Sequence, residues 1–156
     1  MKLRIISIGR TEDEYIRLGT NRFMKQIRHY NPLEEIRLKE IRGGSGRLVS
    51  RTLDQEAEKI LGVLDVRDYV VLLDRKGKQM SSEALAEFLN RGFLSPVRSI
   101  TFVIGGAEGV SDRIRERADE LLSLSEMTLP HEFSRLVLLE QIYRAFTILK
   151  GKKYHR

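Results

Sequence analysis

The stretch DYVVLLD, residues 68–74, decides the fold. Five apolar or aromatic residues run without a polar break between two acids, so neither face of an extended segment here is made for water. A strand of this kind is buried on both sides, which is the habit of parallel sheets. The same signature recurs in SITFVIGG (99–106), and KLRIISIG (2–9) opens the chain as another short apolar strand. Glu35–Ile41 alternates Ile36 and Leu38 with charged residues and reads as a strand with one wet face.

Helical patterns fill the intervals. Thr11 with Glu14, and Thr52 with Gln55, have capping-box spacing. The first predicts a helix to about His29. The second predicts one with Leu53, Ala57, Ile60, Leu61 and Leu64 on one face. RKGK (75–78) reads as a turn, Ser82 as the cap of a helix stopped by Gly92, and Ser111 as the cap of another. That last helix is expected to carry Ile114, Ala118, Leu121 and Leu122. Pro130 opens a long helix that runs to about Lys150 and stops at Gly151. Buried strands alternating with helices argue an α/β fold, a parallel sheet with helices on both faces, in one domain spanning 1–156.

The long helix carries two apolar stripes, Leu136, Leu139, Tyr143, Phe146 and Val137, Leu138, Ile142, Ala145, Leu149. It must be buried on two sides. Either a second copy of the chain or a neighbouring helix of the same chain covers the further face.

The 156 residues contain no cysteine, which excludes disulfides, thiolate metal sites and thiol catalysis. The three histidines, His29, His131 and His155, are scattered, so no metal is expected. A net charge of +6 points to a polyanionic partner. The interleaved charges of MKLRIISIGR do not make a signal peptide, and no run approaches the roughly 20 apolar residues of a membrane span. A cytoplasmic protein without a membrane partner is expected.

Ligands of open α/β sheets bind at the carboxyl ends of strands. GGAEG (105–109) lies at such an end, where glycines let a ligand approach the backbone. Its order is not that of a dinucleotide fingerprint and no P-loop lysine follows it, so a phosphate cradle is disfavoured and a tight strand-to-helix turn is the plainer reading. LSLSEMTLPH (122–131) alternates small polar and apolar residues, and so offers backbone donors beside an apolar wall, which suits a flat heteroaromatic ring. RGGSGR (42–47) is a basic loop, either a linker or a contact to RNA. The tail KGKKYHR (150–156) is a solubilising end, a nucleic-acid arm, or part of an active site.

GGAEGVS (105–111), LSLSEMTLPHEFSRLVLLEQIYRAF (122–146) and a terminal YHR together resemble the RlmH family, SPOUT-class methyltransferases of bacterial 23S ribosomal RNA. The resemblance runs from the opening strand to the last residue. It implies an S-adenosylmethionine-dependent methyltransferase acting on N3 of a pseudouridine in 23S rRNA within the ribosome. It also implies a homodimer and a C-terminal trefoil knot. By motif position it places the cofactor against Leu73, Gly105 and the run Leu124, Ser125, Glu126, Met127, Thr128 and Leu129. His155 is then the candidate base. Arg156 and Arg135 are candidates for stabilising the ring anion or gripping phosphate, and Tyr154 for meeting the target base. Glu140 and Arg144, one turn apart, either join the site or simply pair. His131 reads as a cap or pocket wall. Arg10, Arg42, Arg47 and the tail lysines are expected to meet RNA phosphates. The rival readings are a non-catalytic rRNA- or ribosome-binding factor, which the charge alone supports, and a small nucleotide-dependent enzyme.

Overall fold

The computed structural model describes residues 2–41 and 47–155, with the backbone alone described for Arg47, Leu48 and His155. The order is β1 (Lys2–Ile8), α1 (Glu14–Arg28), β2 (Leu33–Leu38), α2 (Arg47–Val63), β3 (Asp68–Gln79), α3 (Ser82–Phe93), β4 (Ser99–Ile104), α4 (Asp112–Arg117), β5 (Glu120–Ser123) and α5 (His131–Leu149). A short 3-10 turn, Lys153–His155, follows. The strands form one sheet in the order β2-β1-β4-β3-β5, and every pairing is parallel.

Strand periodicity sorts the core into two layers. Leu3, Ile5, Val71, Ile100 and Phe102 point to one face, where they meet Ile27 of α1, Leu89 of α3 and Leu138, Leu139 and Ile142 of α5. Ile6, Ile8, Val70, Leu72 and Val103 point to the other, against Ala57 and Ile60 of α2 and Ile114 of α4. Both faces are covered, which is why DYVVL and SITFVI show no wet side. At the amino end of the sheet, Arg4 of β1 donates to Asp68 of β3 at 2.5 Å, and Ser99 of β4 donates to the same carboxylate at 2.6 Å. Side chains from three neighbouring strands thus share one buried, hydrogen-bonded charge.

Several local expectations are corrected. The Thr11–Glu14 capping box does not form: α1 starts at Glu14 after Asp13, which makes no side-chain cap. Thr52 is buried inside α2, which begins at Arg47, so the second box fails as well. The second strand is Leu33–Leu38 and not Glu35–Ile41, because Leu3 and Ile8 of β1 fix its register. Ser81, not Ser82, caps α3, accepting from Ala84 N. Ser111 does cap α4, but that helix ends at Arg117, and Leu121 and Leu122 belong to β5. Pairing with β3 overrides their helical spacing. RKGK is not a turn: β3 continues to Gln79 through a bulge between Leu73 and Lys78. Gly77 permits this, since a Cβ there would lie 2.5 Å from the Leu121 carbonyl group.

The last helix ends as expected, with Gly151 at φ +63°. Its buried side is filled within the chain, by the sheet and by α1 and α3. Within the chain these neighbours bury Leu139 and Phe146 of one stripe and Leu138, Ile142 and Ala145 of the other. RGGSGR lies outside the described residues, apart from the backbone of Arg47.

Candidate active site

The bulge of β3, the carboxyl ends of β4 and β5 and the first turn of α5 enclose a cavity of about 270 Å³. The turn after β4 supplies its floor. Gly109 N–H donates to Gly106 O at 3.1 Å and Gly109 takes φ +91°, which closes GGAEG into a tight loop. A Cβ on Gly105 would come 2.5 Å from Val110 Cγ1 and 2.6 Å from Gly109 O, so only glycine fits there. The connection from β5 to α5 supplies the opposite wall. Ser123 Oγ donates to Ser125 O at 2.9 Å, and Met127 N–H donates to Ser125 Oγ at 3.0 Å, which bends 123–127 over the strand ends.

Of the residues expected around a cofactor, Leu73, Gly105, Leu124, Ser125, Met127, Thr128 and Leu129 line this cavity. Glu126 is exposed and does not. Leu122, Leu124, Leu129 and Val110 give an apolar interior. Among the described residues, the amides of Glu126, Thr128 and Leu129 donate to no other group. Unspent backbone donors beside an apolar slot suit a purine-like ring, so the residues present fit an adenosyl group. Sequence reasoning placed Asp74 at a candidate strand end but missed Arg115, which also lines the cavity and donates to Asp74 at 2.8 Å. They lie far apart in the chain, and no motif links them. Burial alone would raise the Asp74 carboxyl, but Lys76 N–H and the Arg115 guanidinium outweigh it and hold it below the ordinary value. The hydrogen bond to Asp74 holds Arg115 above its own ordinary value.

His131 is a wall residue, shared with a second, more open groove at the ends of β1 and β2. Arg10, Arg37 and Lys39 stand on that groove together with Glu12, Glu40 and Glu132. Arg10 and Lys39 are exposed and form no ion pair among the described residues.

Arg135 is not at the cavity. It is 3 % exposed, faces Glu35 at 3.3 Å and donates to Thr20 Oγ1 at 3.3 Å. Burial lowers its pKa, against the pull of Glu35. Its place is a structural ion pair, not a grip on substrate phosphate. Glu140 and Arg144 do pair, at 2.6 Å, and Tyr154 joins them. Its hydroxyl donates to Glu140 at 3.1 Å, the Arg144 guanidinium lies 4.9 Å over its ring, and its edge meets Tyr143. Burial, then Glu140, raises the Tyr154 phenol. The tail thus folds back along its own α5. By helix rise, Glu140 is about 9 Å from Ser134 and Arg144 about 20 Å from His131. The His155 side chain and Arg156 lie outside the described residues, as does Arg42.

Among the described residues no group of acidic and histidine side chains could hold a metal ion, and no helix is long and apolar enough to cross a membrane.

Residues 1–155 match the family model described as "Predicted SPOUT methyltransferase". Ribosomal RNA large subunit methyltransferase H of Streptococcus agalactiae is 40 % identical over 159 aligned residues, covering all of both chains. The protein of that name from Caldicellulosiruptor saccharolyticus is 41 % identical, covering 99 % of each. Among solved structures, a tRNA (m1G37) methyltransferase from Aquifex aeolicus aligns with TM-score 0.48 and 18 % identity, over 92 % of this chain and 70 % of that one.

Proposed function

This chain belongs to the SPOUT methyltransferase family, in the branch of the large-subunit rRNA methyltransferases H, and on that premise we propose that it methylates N3 of a pseudouridine in 23S rRNA, using S-adenosylmethionine, as a cytoplasmic homodimer acting on the assembled ribosome. The observation that carries this reading is the cavity closed by 105–109 and 124–129, apolar within and edged by unspent backbone donors. The family's trefoil knot would set the 124–129 connection against the strand ends.

When bound, the cofactor supplies an electrophilic methyl group. Leu73, Gly105, Leu124, Ser125, Met127, Thr128 and Leu129, which line the cavity, would hold it by apolar contact and through the backbone. The chain's remaining task is alignment and proton removal, because N3 of a pseudouridine carries a proton. His155 accepts that proton, Arg156 stabilises the anionic ring, and Tyr154 packs on the base. Arg135 supports the start of α5 from within through Glu35 and Thr20.

The folded-back tail bears on assembly. Tyr154 sits on α5 two to three turns from its own cavity, beside Tyr143. A tail in this position serves a partner's cavity more readily than its own. Tyr15 and Leu18 on α1 and Phe133 on α5 are exposed apolar residues on packed neighbouring helices, a face suited to a second copy.

The net charge of +6 on its own also supports a ribosome-binding factor without catalysis. Calorimetry with S-adenosylmethionine separates the two: saturable binding supports the enzyme, and no binding by the folded dimer sinks it.

A further inference from the structure

The cavity has an apolar interior and an ionic edge. The edge consists of Asp74, on the bulge of β3, and Arg115, on α4. Arg115 Nε donates to Asp74 Oδ2 at 2.8 Å, and its Nη1 donates to Asp112 at 2.8 Å and to Val110 O at 3.1 Å. Its Nη2 has no partner among the described residues. Asp74 Oδ1 accepts Lys76 N–H at 2.9 Å, and the Asp74 side chain is only 8 % exposed. Both groups are therefore fixed before any ligand arrives, and each keeps hydrogen-bonding capacity in hand.

Asp74 and Arg115 present fixed charges of opposite sign at the cavity edge, with the exposed Asp112 bonded to Arg115 from outside the cavity, and such an edge selects its ligand by sign. Asp74 repels a lone anion such as phosphate, and Arg115 repels a lone cation. A zwitterion with ammonium and carboxylate on one carbon meets both charges at once. We infer that the Asp74–Arg115 pair is the amino-acid subsite of the cavity, Asp74 taking the α-ammonium and Arg115 the α-carboxylate of the methionine portion of S-adenosylmethionine. This rests on the proposed function and adds the residues that recognise one end of the cofactor. The pair also staples the β3 bulge to α4. A purely structural staple would affect every ligand of the cavity alike, whereas an amino-acid subsite affects only ligands that carry that group.

The test is calorimetry of the full-length protein with S-adenosylhomocysteine and with 5′-methylthioadenosine, which shares the adenine, ribose and thioether but lacks the amino-acid group. Wild type is expected to bind the first more tightly. Arg115→Gln removes a charge-assisted contact and is expected to weaken the first by about 10- to 100-fold while leaving the second unchanged, closing the gap. Arg115→Lys, which keeps the charge but loses the fork, is expected to fall between and serves if the glutamine variant does not fold. Arg113→Gln, on the same helix but paired outward with Glu58 at 3.7 Å, is expected to leave the gap intact. Arg75 is another cation on the cavity wall, so equal losses for both ligands, an unchanged gap, or closure by Arg75→Gln instead would overturn the subsite alone. Failure of wild type to bind either nucleoside would overturn the cofactor reading on which it stands.

Discussion

Replacing Gly105 by alanine puts a methyl group 2.5 Å from Val110 Cγ1 and 2.6 Å from the Gly109 carbonyl oxygen. Ordinary contact begins near 3.5 Å, so the neighbours must withdraw by about 1 Å. Val110 can turn away, but the Gly109 oxygen is backbone, in a loop closed by Gly109 N–H on Gly106 O. Overpacking of this kind costs about 1–3 kcal/mol. For a chain of this size each kcal/mol shifts Tm by about 2–4 °C, so a fall of about 2–12 °C is expected. If the cofactor needs the undistorted turn, the same strain appears as roughly 5- to 150-fold weaker binding. Thermal melts and calorimetry with S-adenosylhomocysteine read the two effects. The matched control is Gly62→Ala on the exposed side of α2, where nothing lies within 4 Å of the added carbon. Better helix propensity should there stabilise by up to about 1 kcal/mol. A Gly105→Ala protein with wild-type Tm and wild-type affinity would refute the tight-turn argument.

Other outcomes follow from the same geometry. Asp68→Ala strips Arg4 of its buried carboxylate partner and should cost about 3–5 kcal/mol in urea denaturation; a loss under about 1 kcal/mol would show the charge is not held as described. Burial raises the Glu56 carboxyl above its ordinary 4.5, despite the bond from Ile41 N–H, so the folded state binds this proton more tightly than the unfolded chain. Stability from this group therefore falls as pH rises from 4.5 through the folded value, and Glu56→Gln should flatten that slope; an unaltered slope contradicts it. Deleting Tyr154 to Arg156 should leave cofactor binding intact and abolish methylation; wild-type turnover would remove the tail from the site. His155→Ala should eliminate the acidic limb of the pH–rate profile, and an unchanged profile excludes His155 as the base.

The sheet was legible because burial on both faces writes itself into composition: DYVVLLD and SITFVI have no place for water. Local caps were less legible. Thr11 has the right spacing for a cap, yet the chain before α1 is held from elsewhere, by Glu132 accepting from Glu12 N–H at 3.1 Å. Leu121 and Leu122 continue a helical spacing but are claimed by β3, a contact that no local window contains. The cavity's walls were legible in outline, as a glycine turn at 105–109 and a mixed polar and apolar run at 122–131, while the individual residues expected around a cofactor came from the family motifs. Arg135 misled for a simple reason: a basic residue in a motif can serve the interior as well as a substrate, and only burial tells the two apart. Asp74 and Arg115 meet only in three dimensions.

The most direct measurement is mass spectrometry of 23S rRNA nucleosides and fragments from cells that lack this chain and from cells in which it is restored. The account predicts that one pseudouridine-containing fragment loses the mass of a single methylene in the deletion strain. Restoration of the wild-type chain should return it, and the chain lacking Tyr154 to Arg156 should not. Identical methylation with and without the chain would contradict the account.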